Sequence, residues 1–371
     1  LKNFRFSISW PRIFPLGTGA INYAGIDFYN RLIDCCFKHN ITPWVTLYHW
    51  DLPYTLQLSD GWCNRDVVNH FEDYVSVCAK AFSDRVQNWM VLNEPLAFTF
   101  LGYFLGWHAP GIRNPGKFCG AVHHATLAQA CGARVLKTYK PSLEVGTTFS
   151  CTAIFSETSS DKDEKARVVA DALLNRLFIE PTYGLGYPLN ELPFLNRIEK
   201  YFLSGDERLL PFDFDFIGLQ NYSREVIKYA SWIPFLHARN VPASKRNVPF
   251  TDMDWEVYPE SIYLMLKKFA SYNSAKPIIV TENGAAFKDE LINGVVNDDL
   301  RVDFLKSYLG QVLRAKREGI NVNGYFIWSL LDNIEWAEGN TKRFGIVYTD
   351  FKTLERTVKK SGWWFKEFLS R

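Results

Sequence analysis

The sequence predicts an α/β fold, a (β/α)8 barrel of parallel strands surrounded by helices. Apolar runs of strand length, rich in β-branched and aromatic residues, alternate along the chain with longer stretches of helical periodicity. Such alternation predicts a parallel sheet covered by helices. Because crossovers between parallel strands are right-handed and the runs have similar lengths, closure into a barrel is favoured over an open sheet. The 371 residues, 47% of them hydrophobic, can bury the core of a single barrel domain over residues 1–371.

The predicted elements follow one another in a regular order. Seven strand-like runs lie at residues 4–9, 42–48, 88–92, 143–149, 214–220, 277–281 and 322–328. Helical periodicity is found at residues 23–39, 65–82, 120–139, 162–178, 259–272, 298–318 and 359–369. The segments after several strands are long and rich in Gly, Pro and aromatic residues, and we interpret them as loops of a substrate-facing rim. These segments follow residues 92, 149, 220, 281 and 328.

A complete barrel needs one strand more than the seven found. The chain starts at Leu1 and runs at once into the first strand-like run. We therefore expect the first strand of the barrel, and its helix, to lie upstream of residue 1. A barrel without that strand leaves two sheet edges and part of the core unpaired, so we expect these residues alone to be poorly soluble or weakly active.

Composition and charge limit the classes of molecule that we expect this protein to bind. The 42 basic and 40 acidic residues are well mixed and give a net charge of +2, which disfavours nucleic acid and anionic membrane surfaces as partners. No run approaches the roughly 18 apolar residues of a membrane span. A neutral small molecule is the expected ligand. The 12 Trp and 18 Tyr suit the apolar faces of sugar rings, although an aromatic-rich core explains them equally well.

The cysteines and histidines indicate neither disulfides nor metal. Seven cysteines occur without C-x-x-C spacing, so we expect buried free thiols and a reducing compartment, with one or two disulfides as the alternative. The compartment itself stays open. His123 and His124 have no acidic or cysteine partner at metal spacing, and we interpret them as helix-face residues. No metal and no cofactor are predicted.

Two glutamates stand where strand-like runs end and turns begin. Glu94 follows the run that ends at residue 92, and Glu282 follows the run that ends at residue 281. In a barrel the C-terminal ends of all strands meet at one rim, so these carboxyl groups can face one substrate. Paired carboxyl groups at such a rim suggest glycosidic bond chemistry. Either glutamate alone fits a helix N-terminus or a surface charge as well.

Five motifs resemble glycoside hydrolase family 1, the β-glucosidases and their relatives. They occur in the family's order over essentially the whole chain: FSISWPRI at 6–13, LYHWDLP at 47–53, NEP at 93–95, VTENG at 280–284 and WSLLDNIEW at 328–336. The resemblance implies a (β/α)8 barrel, hydrolysis of terminal β-D-glucosyl residues with retention of configuration, and no cofactor. β-Galactosides and β-fucosides are further candidate substrates, as small glycosides or short oligosaccharides.

The same resemblance assigns the catalytic roles. Glu282 matches the nucleophile and Glu94 the acid/base. Arg5 and the Tyr222 hydroxyl match the groups that stabilise the nucleophile's negative charge. Glu94 must carry a proton when substrate arrives, so we expect it in a drier place.

Further residues match sugar-binding positions of the family. The resemblance implies that Asn93 contacts the 2-hydroxyl, that Trp328 forms an apolar floor under the ring and that Glu335 holds the 4- and 6-hydroxyls. The full set comprises His49, Trp50, Asn93, Tyr222, Trp255, Trp328, Glu335, Trp336 and Phe344.

Other functions within and outside the family fit these residues less well. Glu335 would repel a 6-phosphate, which disfavours a phosphoglycosidase, and Glu94 disfavours a thioglucosidase, whose leaving group needs no proton. A catalytically weak or silent sugar-binding relative would commonly lack one of the two carboxylates, and both are present. The leaving group, the breadth for glucose against galactose or fucose, and the oligomeric state stay open.

Overall fold

The structure, a computed structural model, describes residues 1–273 and 275–370. The chain divides into two compact units. Unit 1 comprises Leu1–Ser150 and Ala172–Gly218, and unit 2 comprises Cys151–Asp171 and the chain from Leu219 onward.

The strands of the described chain include all seven that the sequence predicts. In chain order they are β1 Asn3–Ser7, β2 Thr42–Tyr48, β3 Asn88–Asn93, β4 Glu144–Ser150, β5 Ala153–Ser156, β6 Phe216–Gln220, β7 Arg224–Tyr229, β8 Ala238–Asn240, β9 Ile278–Asn283, β10 Val322–Ile327, β11 Val347–Thr349 and β12 Arg356–Val358. A seven-stranded sheet has the order β1-β2-β3-β4-β6-β9-β10. In unit 1, β1 pairs in parallel with β2, β2 with β3, and β3 with β4. In unit 2, β9 and β10 are parallel.

The central strands carry apolar runs up to their C-terminal ends, residues 89–92 in β3 and 278–280 in β9, because both of their faces are covered. Every residue of β9 is buried, and five of the six residues of β3 are buried. The first polar residues at the C-terminal ends of these two strands, Asn93 in β3 and Thr281 in β9, lie directly before Glu94 and Glu282. The strands therefore carry the two glutamates at equivalent ends.

The helices of the described chain include all seven that the sequence predicts and four short ones that it does not. They are α1 Trp10–Ile13, α2 Tyr23–Lys38, α3 Tyr54–Leu58, α4 Asp66–Phe82, α5 Pro115–Tyr139, α6 Asp161–Asp171, α7 Ile179–Thr182, α8 Asp206–Leu209, α9 Glu260–Tyr272, α10 Asp299–Arg317 and α11 Lys360–Phe368. Helix α5 starts five residues earlier than predicted, because the Asn114 side chain accepts from the N–H groups of Gly116 and Lys117 and Pro115 occupies the first turn. The helix predicted over 162–178 is instead α6 followed by the π-helical turn Ala172–Arg176.

Three of the predicted rim loops, those after residues 149, 220 and 328, contain strands, and the prediction of plain loops was wrong there. In unit 2, β5, β7 and β8 form a three-stranded sheet, and β11 pairs with β12 in an antiparallel hairpin. Strands of three to six residues such as Val347–Thr349 are too short to show a clear period of two, and charged residues interrupt the pattern in Arg224–Tyr229.

His123 and His124 lie on helix α5, in agreement with the sequence interpretation, and both are buried. His123 Nε2 lies 2.8 Å from Asp206 Oδ2, and Arg65 pairs with the same carboxylate at 2.6 Å. Burial lowers the pKa of His123, so the ring is a neutral partner of Asp206. A histidine inside α5 can be buried because this long helix is covered over most of its surface.

The remaining sequence predictions concern cysteines, membrane spans and metal. All seven cysteines lie in the described chain and are free, as predicted; Cys35 is exposed, Cys63 is half-buried and the other five are buried. No helix within residues 1–273 and 275–370 is long and apolar enough to cross a membrane. Among those residues, no group of His, Cys, Asp and Glu side chains has the arrangement of a metal site.

Candidate active site

Glu94 is the first residue after β3, and unit 1 fixes its backbone closely. Its N–H donates to the carbonyl of Thr148 on β4 at 3.0 Å, so the sheet ladder extends to Glu94 itself. Its φ is +44°, a left-handed conformation that few residues other than glycine adopt. Only 8% of the residue is exposed. The strand end therefore holds Glu94 in a buried position with a restricted backbone.

Asn93 is the centre of a hydrogen-bond network in unit 1. Its Oδ1 accepts from the Arg5 guanidinium and, at 3.0 Å, from the Thr148 hydroxyl. Its backbone carbonyl accepts from the indole N–H of Trp50 at 2.9 Å. Two donors on Oδ1 fix which end of the Asn93 amide is the acceptor. Arg5 thus contacts a residue predicted to bind sugar.

His49 is neutral, and its ring orientation follows from its two partners. Asn93 Nδ2 lies 3.1 Å from His49 Nε2, and Ser7 Oγ lies 3.1 Å from Nδ1. Burial, reinforced by the charge of Arg5, lowers the pKa of His49 to about 3. Since the amide nitrogen can only donate, Nε2 accepts from Asn93 and Nδ1–H donates to Ser7.

Glu282 lies one residue before the end of β9 in unit 2. It is 3% exposed, and the Tyr222 hydroxyl donates to its Oε2 at 2.6 Å. A hydrogen bond this short is typical of a hydroxyl that donates to a carboxylate. The backbone of Tyr222 is held in turn, because its carbonyl accepts from the Tyr308 hydroxyl at 2.9 Å. The structure thus brings together the predicted nucleophile and one of its two predicted supporting residues.

An aromatic cluster surrounds Tyr222. The ring centroids of Tyr222 and Trp255 are 5.1 Å apart, those of Tyr222 and Phe344 are 6.2 Å apart, and those of Trp255 and Phe344 are 6.0 Å apart. Phe344 is buried, whereas Trp255 is partly exposed. Unit 2 therefore places the two aromatic residues that sequence comparison assigned to the site beside the tyrosine that contacts Glu282.

Trp328 and Glu335 lie in the segment after β10. The N–H of Trp328 donates to the carbonyl of Asn283 at 2.9 Å, next to Glu282. Burial raises the pKa of Glu335 to about 7; a hydrogen bond from the Trp328 side chain opposes this shift, and the charge of Glu282 adds to it. Glu335 and Glu282 therefore share one electrostatic environment. Trp336 follows and is 39% exposed.

The sequence analysis did not identify the residues that position the predicted site residues. Thr148 contacts Asn93, and Ser7 contacts His49; both lie at C-terminal strand ends, a position that could have identified them. Tyr308, by contrast, lies inside α10 as one more apolar residue of a helix, and no sequence signal distinguishes its hydroxyl.

Comparison with known proteins gives close relatives. The pattern of glycosyl hydrolase family 1 matches residues 1–371. Beta-glucosidase A of Thermotoga maritima is 42% identical over 369 residues, which cover 98% of this chain and 81% of that protein. A solved family 1 β-glucosidase from Thermotoga maritima superposes with a TM-score of 0.95 at 41% identity and covers 100% of this chain and 83% of that chain. The same protein in complex with deoxynojirimycin superposes with a TM-score of 0.94. The predicted (β/α)8 barrel fold is confirmed by this likeness.

Proposed function

The chain belongs to glycosyl hydrolase family 1 and is a retaining hydrolase of the β-glucosidase type, and from this premise we propose that Glu282 is its nucleophile and Glu94 its acid/base. The observation that carries the proposal is the 2.6 Å hydrogen bond from the Tyr222 hydroxyl to the buried Glu282 carboxylate. A carboxylate that is buried yet supplied with a strong donor can remain ionised without water.

In the first step the Glu282 carboxylate attacks the anomeric carbon of the bound β-glucoside. The bond from that carbon to the leaving oxygen breaks, and the proton of the Glu94 carboxyl passes to this oxygen. Because Glu282 becomes an ester, its negative charge disappears, and Glu94 can then remain ionised. The product of this step is an α-linked glucosyl-enzyme with inverted configuration.

In the second step water attacks the same carbon from the face that the leaving group vacated. Glu94 takes the proton of the water, and the ester bond to Glu282 breaks and restores the carboxylate. Two inversions return the β configuration. The Tyr222 hydroxyl stabilises the negative charge that returns to Glu282, and Arg5 is proposed as the second group that stabilises it.

The proposed recognition of the sugar uses the remaining predicted residues. The amide of Asn93, oriented by Arg5 and Thr148, would contact the 2-hydroxyl. Glu335, beside Trp328, would bind the 4- and 6-hydroxyls. His49, Trp50, Trp255, Trp336 and Phe344 complete the proposed pocket. A close structural relative binds deoxynojirimycin, a small sugar-like molecule, which supports small β-glycosides as substrates. Short β-linked oligosaccharides are proposed as further substrates.

Replacement of the two glutamates tests their roles separately. We expect Glu282→Ala and Glu94→Ala each to lower kcat on a β-glucoside by at least about 10³-fold. With dinitrophenyl β-D-glucoside, whose leaving group needs no proton, added azide should restore product formation in both variants. Azide replaces the missing carboxylate in Glu282→Ala and gives α-glucosyl azide. In Glu94→Ala azide attacks the glucosyl-enzyme and gives β-glucosyl azide.

The configuration of the azide product decides the assignment. Glu290→Ala serves as the control, because Glu290 is an exposed carboxylate eight residues after Glu282. It should keep the full rate. Formation of the same azide anomer by both glutamate variants, or full activity of either without azide, would contradict the proposed roles.

A further inference from the structure

Unit 2 contains a buried cluster of six charged side chains that the proposed mechanism does not use. We call it the ionic cluster. It consists of the cations Arg301, Arg343 and Lys359 and the anions Asp289, Asp298 and Asp332. Five of the six side chains are at most 1% exposed, and Arg343 is 18% exposed. Three positive and three negative charges balance, which is the condition for keeping ions out of water.

Asp332 anchors the segment that carries Glu335. Its carboxylate accepts from Lys359 Nζ and from the Arg343 guanidinium, both at 2.7 Å. It also accepts from the N–H of Gly345 at 2.9 Å. These donors occupy both oxygens, so the carboxylate has one position. Asp332 precedes Glu335 by only three residues, and its fixed position therefore restricts where Glu335 can lie.

Asp289 anchors the chain that follows the proposed nucleophile. Arg301 binds its carboxylate with two parallel bonds of 3.0 and 2.9 Å. Arg301 Nε also donates to the carbonyl of Ala285 at 3.1 Å, three residues after Glu282. Arg301 therefore ties both ends of the segment from Ala285 to Asp289 to one rigid guanidinium group.

Lys359 joins these two anchors. Its Nζ lies 2.5 Å from Asp289 and 2.7 Å from Asp332, and the side chain is fully buried. Its own backbone is held, because its N–H donates to the carbonyl of Ile346 at 3.0 Å. Among the described residues, Arg301 forms ion pairs with Asp289 and Asp298, and Arg343 forms one with Asp332. Lys359 is the cation of the cluster that pairs with both Asp289 and Asp332.

We propose that Lys359 is a positioning residue, which sets the place of Glu335 relative to the strand end that carries Glu282 and thereby controls recognition of the sugar's 6-hydroxyl. The inference rests on the proposed role of Glu335 in binding that hydroxyl. Lys359 acts through Asp289 and Asp332 and need not touch the substrate. A displacement of about 1 Å in such a site can cost about 100-fold in rate, so a tether outside the pocket is sufficient to affect selectivity.

The test compares two adjacent lysines. Lys359→Met keeps the length of the side chain and removes its charge. Lys360→Met is the matched control, because Lys360 is 51% exposed and pairs with the exposed Asp299. Each variant is assayed with nitrophenyl β-D-glucoside and with its 6-deoxy analogue, and Glu335→Gln provides the reference for lost recognition. The readout is the ratio of kcat/KM for the two substrates.

The wild type and Lys360→Met should prefer the glucoside to the 6-deoxy analogue. Lys359→Met should lower that preference by about tenfold or more, in the same direction as Glu335→Gln. A loss of folded protein lowers the apparent kcat/KM for both substrates by the same factor and leaves their ratio unchanged. The ratio therefore distinguishes an effect on positioning from an effect on stability.

An unchanged ratio in Lys359→Met, with a lowered ratio in Glu335→Gln, overturns the role of Lys359 while the proposed function stands. An unchanged ratio in Glu335→Gln overturns the role of Glu335 and this inference with it, whereas the azide products still test the catalytic glutamates.

A second variant covers the case in which Lys359→Met does not fold. Lys359→Met combined with Asp332→Asn removes one charge of each sign and keeps the ionic cluster balanced. This double variant should fold and should show the same loss of preference for the 6-hydroxyl. A folded double variant with the wild-type ratio overturns the proposal.

Discussion

The folded protein raises the pKa of the Glu335 carboxyl group above its ordinary value. Burial raises its pKa from 4.5 to about 7, against a hydrogen bond from Trp328 and with help from the charge of Glu282. Between these two pH values the folded protein binds more protons at this site than the unfolded chain. Its contribution to the free energy of unfolding therefore falls as pH rises from about 4.5 to about 7.

The Glu335→Gln variant should remove this pH dependence. We expect the variant to gain about 1–2 kcal/mol relative to the wild type at pH 8, after discounting for solvent screening, and little or nothing at pH 4.5. Denaturant unfolding at both pH values measures the difference. Glu355→Gln, which changes an exposed carboxylate 20 residues after Glu335, is the control. An equal effect of Glu335→Gln at both pH values would contradict the raised pKa.

Tyr222 supplies the hydrogen bond on which the assignment of Glu282 rests. Tyr222→Phe keeps the ring, and so its contacts with Trp255 and Phe344, but removes the donor at 2.6 Å. A hydrogen bond to a charged group contributes about 1.5–3 kcal/mol, so we expect kcat/KM on nitrophenyl β-D-glucoside to fall by about 10- to 100-fold. Melting curves check that the fold is intact. A rate within about twofold of the wild type would show that the hydroxyl does not support the nucleophile.

At the scale of elements, the contact between the ends of β9 and β10 depends on one glycine. A Cβ on Gly284 would lie 1.8 Å from the carbonyl oxygen of Trp328, a distance that the backbone can only relieve by moving. The N–H of Trp328 also donates to the carbonyl of Asn283 at 2.9 Å, so the two strand ends are in direct backbone contact. Glycine is required here by the close approach of two chains.

Gly284→Ala should therefore separate the two strand ends and impair activity. We expect kcat/KM to fall by at least about tenfold, together with a loss of about 1–3 kcal/mol of stability. Gly310→Ala is the matched control, because a Cβ at this position in α10 meets no atom within 4 Å. Alanine in a helix interior should stabilise by about 0.5–1 kcal/mol and leave activity unchanged. Equal behaviour of the two variants would exclude the steric argument.

Which elements the sequence could predict depends on how strong their local pattern is. Long apolar runs such as β9, buried over its whole length, and long periodic helices such as α4 were located to within about two residues. The short strands β8 and β11 were missed because three residues hold no detectable period. The start of α5 was placed too late because its signal is the cap at Asn114 rather than apolar periodicity.

The same distinction applies to the site. Glu94, Glu282 and the sugar-binding candidates lie in contiguous motifs, so a linear pattern can identify them. The residues that position them lie far away in sequence: Tyr308 is 86 residues from Tyr222, and Lys359 is 27 residues from Asp332. Their roles arise from burial and from contacts that only a folded chain creates. The sequence could therefore indicate the chemistry but not the ionic cluster that holds Glu335.

At the scale of the whole molecule, the thiols report on how tightly the fold excludes solvent. Among the seven free cysteines Cys35 is exposed, and its neighbour Cys36 is buried on the other side of α2. Cys63 is half-buried, and burial raises its pKa to about 12, which suppresses the reactive thiolate.

We expect one thiol per chain to react quickly with a disulfide reagent in the native protein and seven to react in guanidinium chloride. Cys35→Ser should abolish the fast reaction and leave six thiols in the denatured chain. A denatured count of five in the unmodified protein would indicate a disulfide, and two or more fast native thiols would indicate a more open fold than the structure shows.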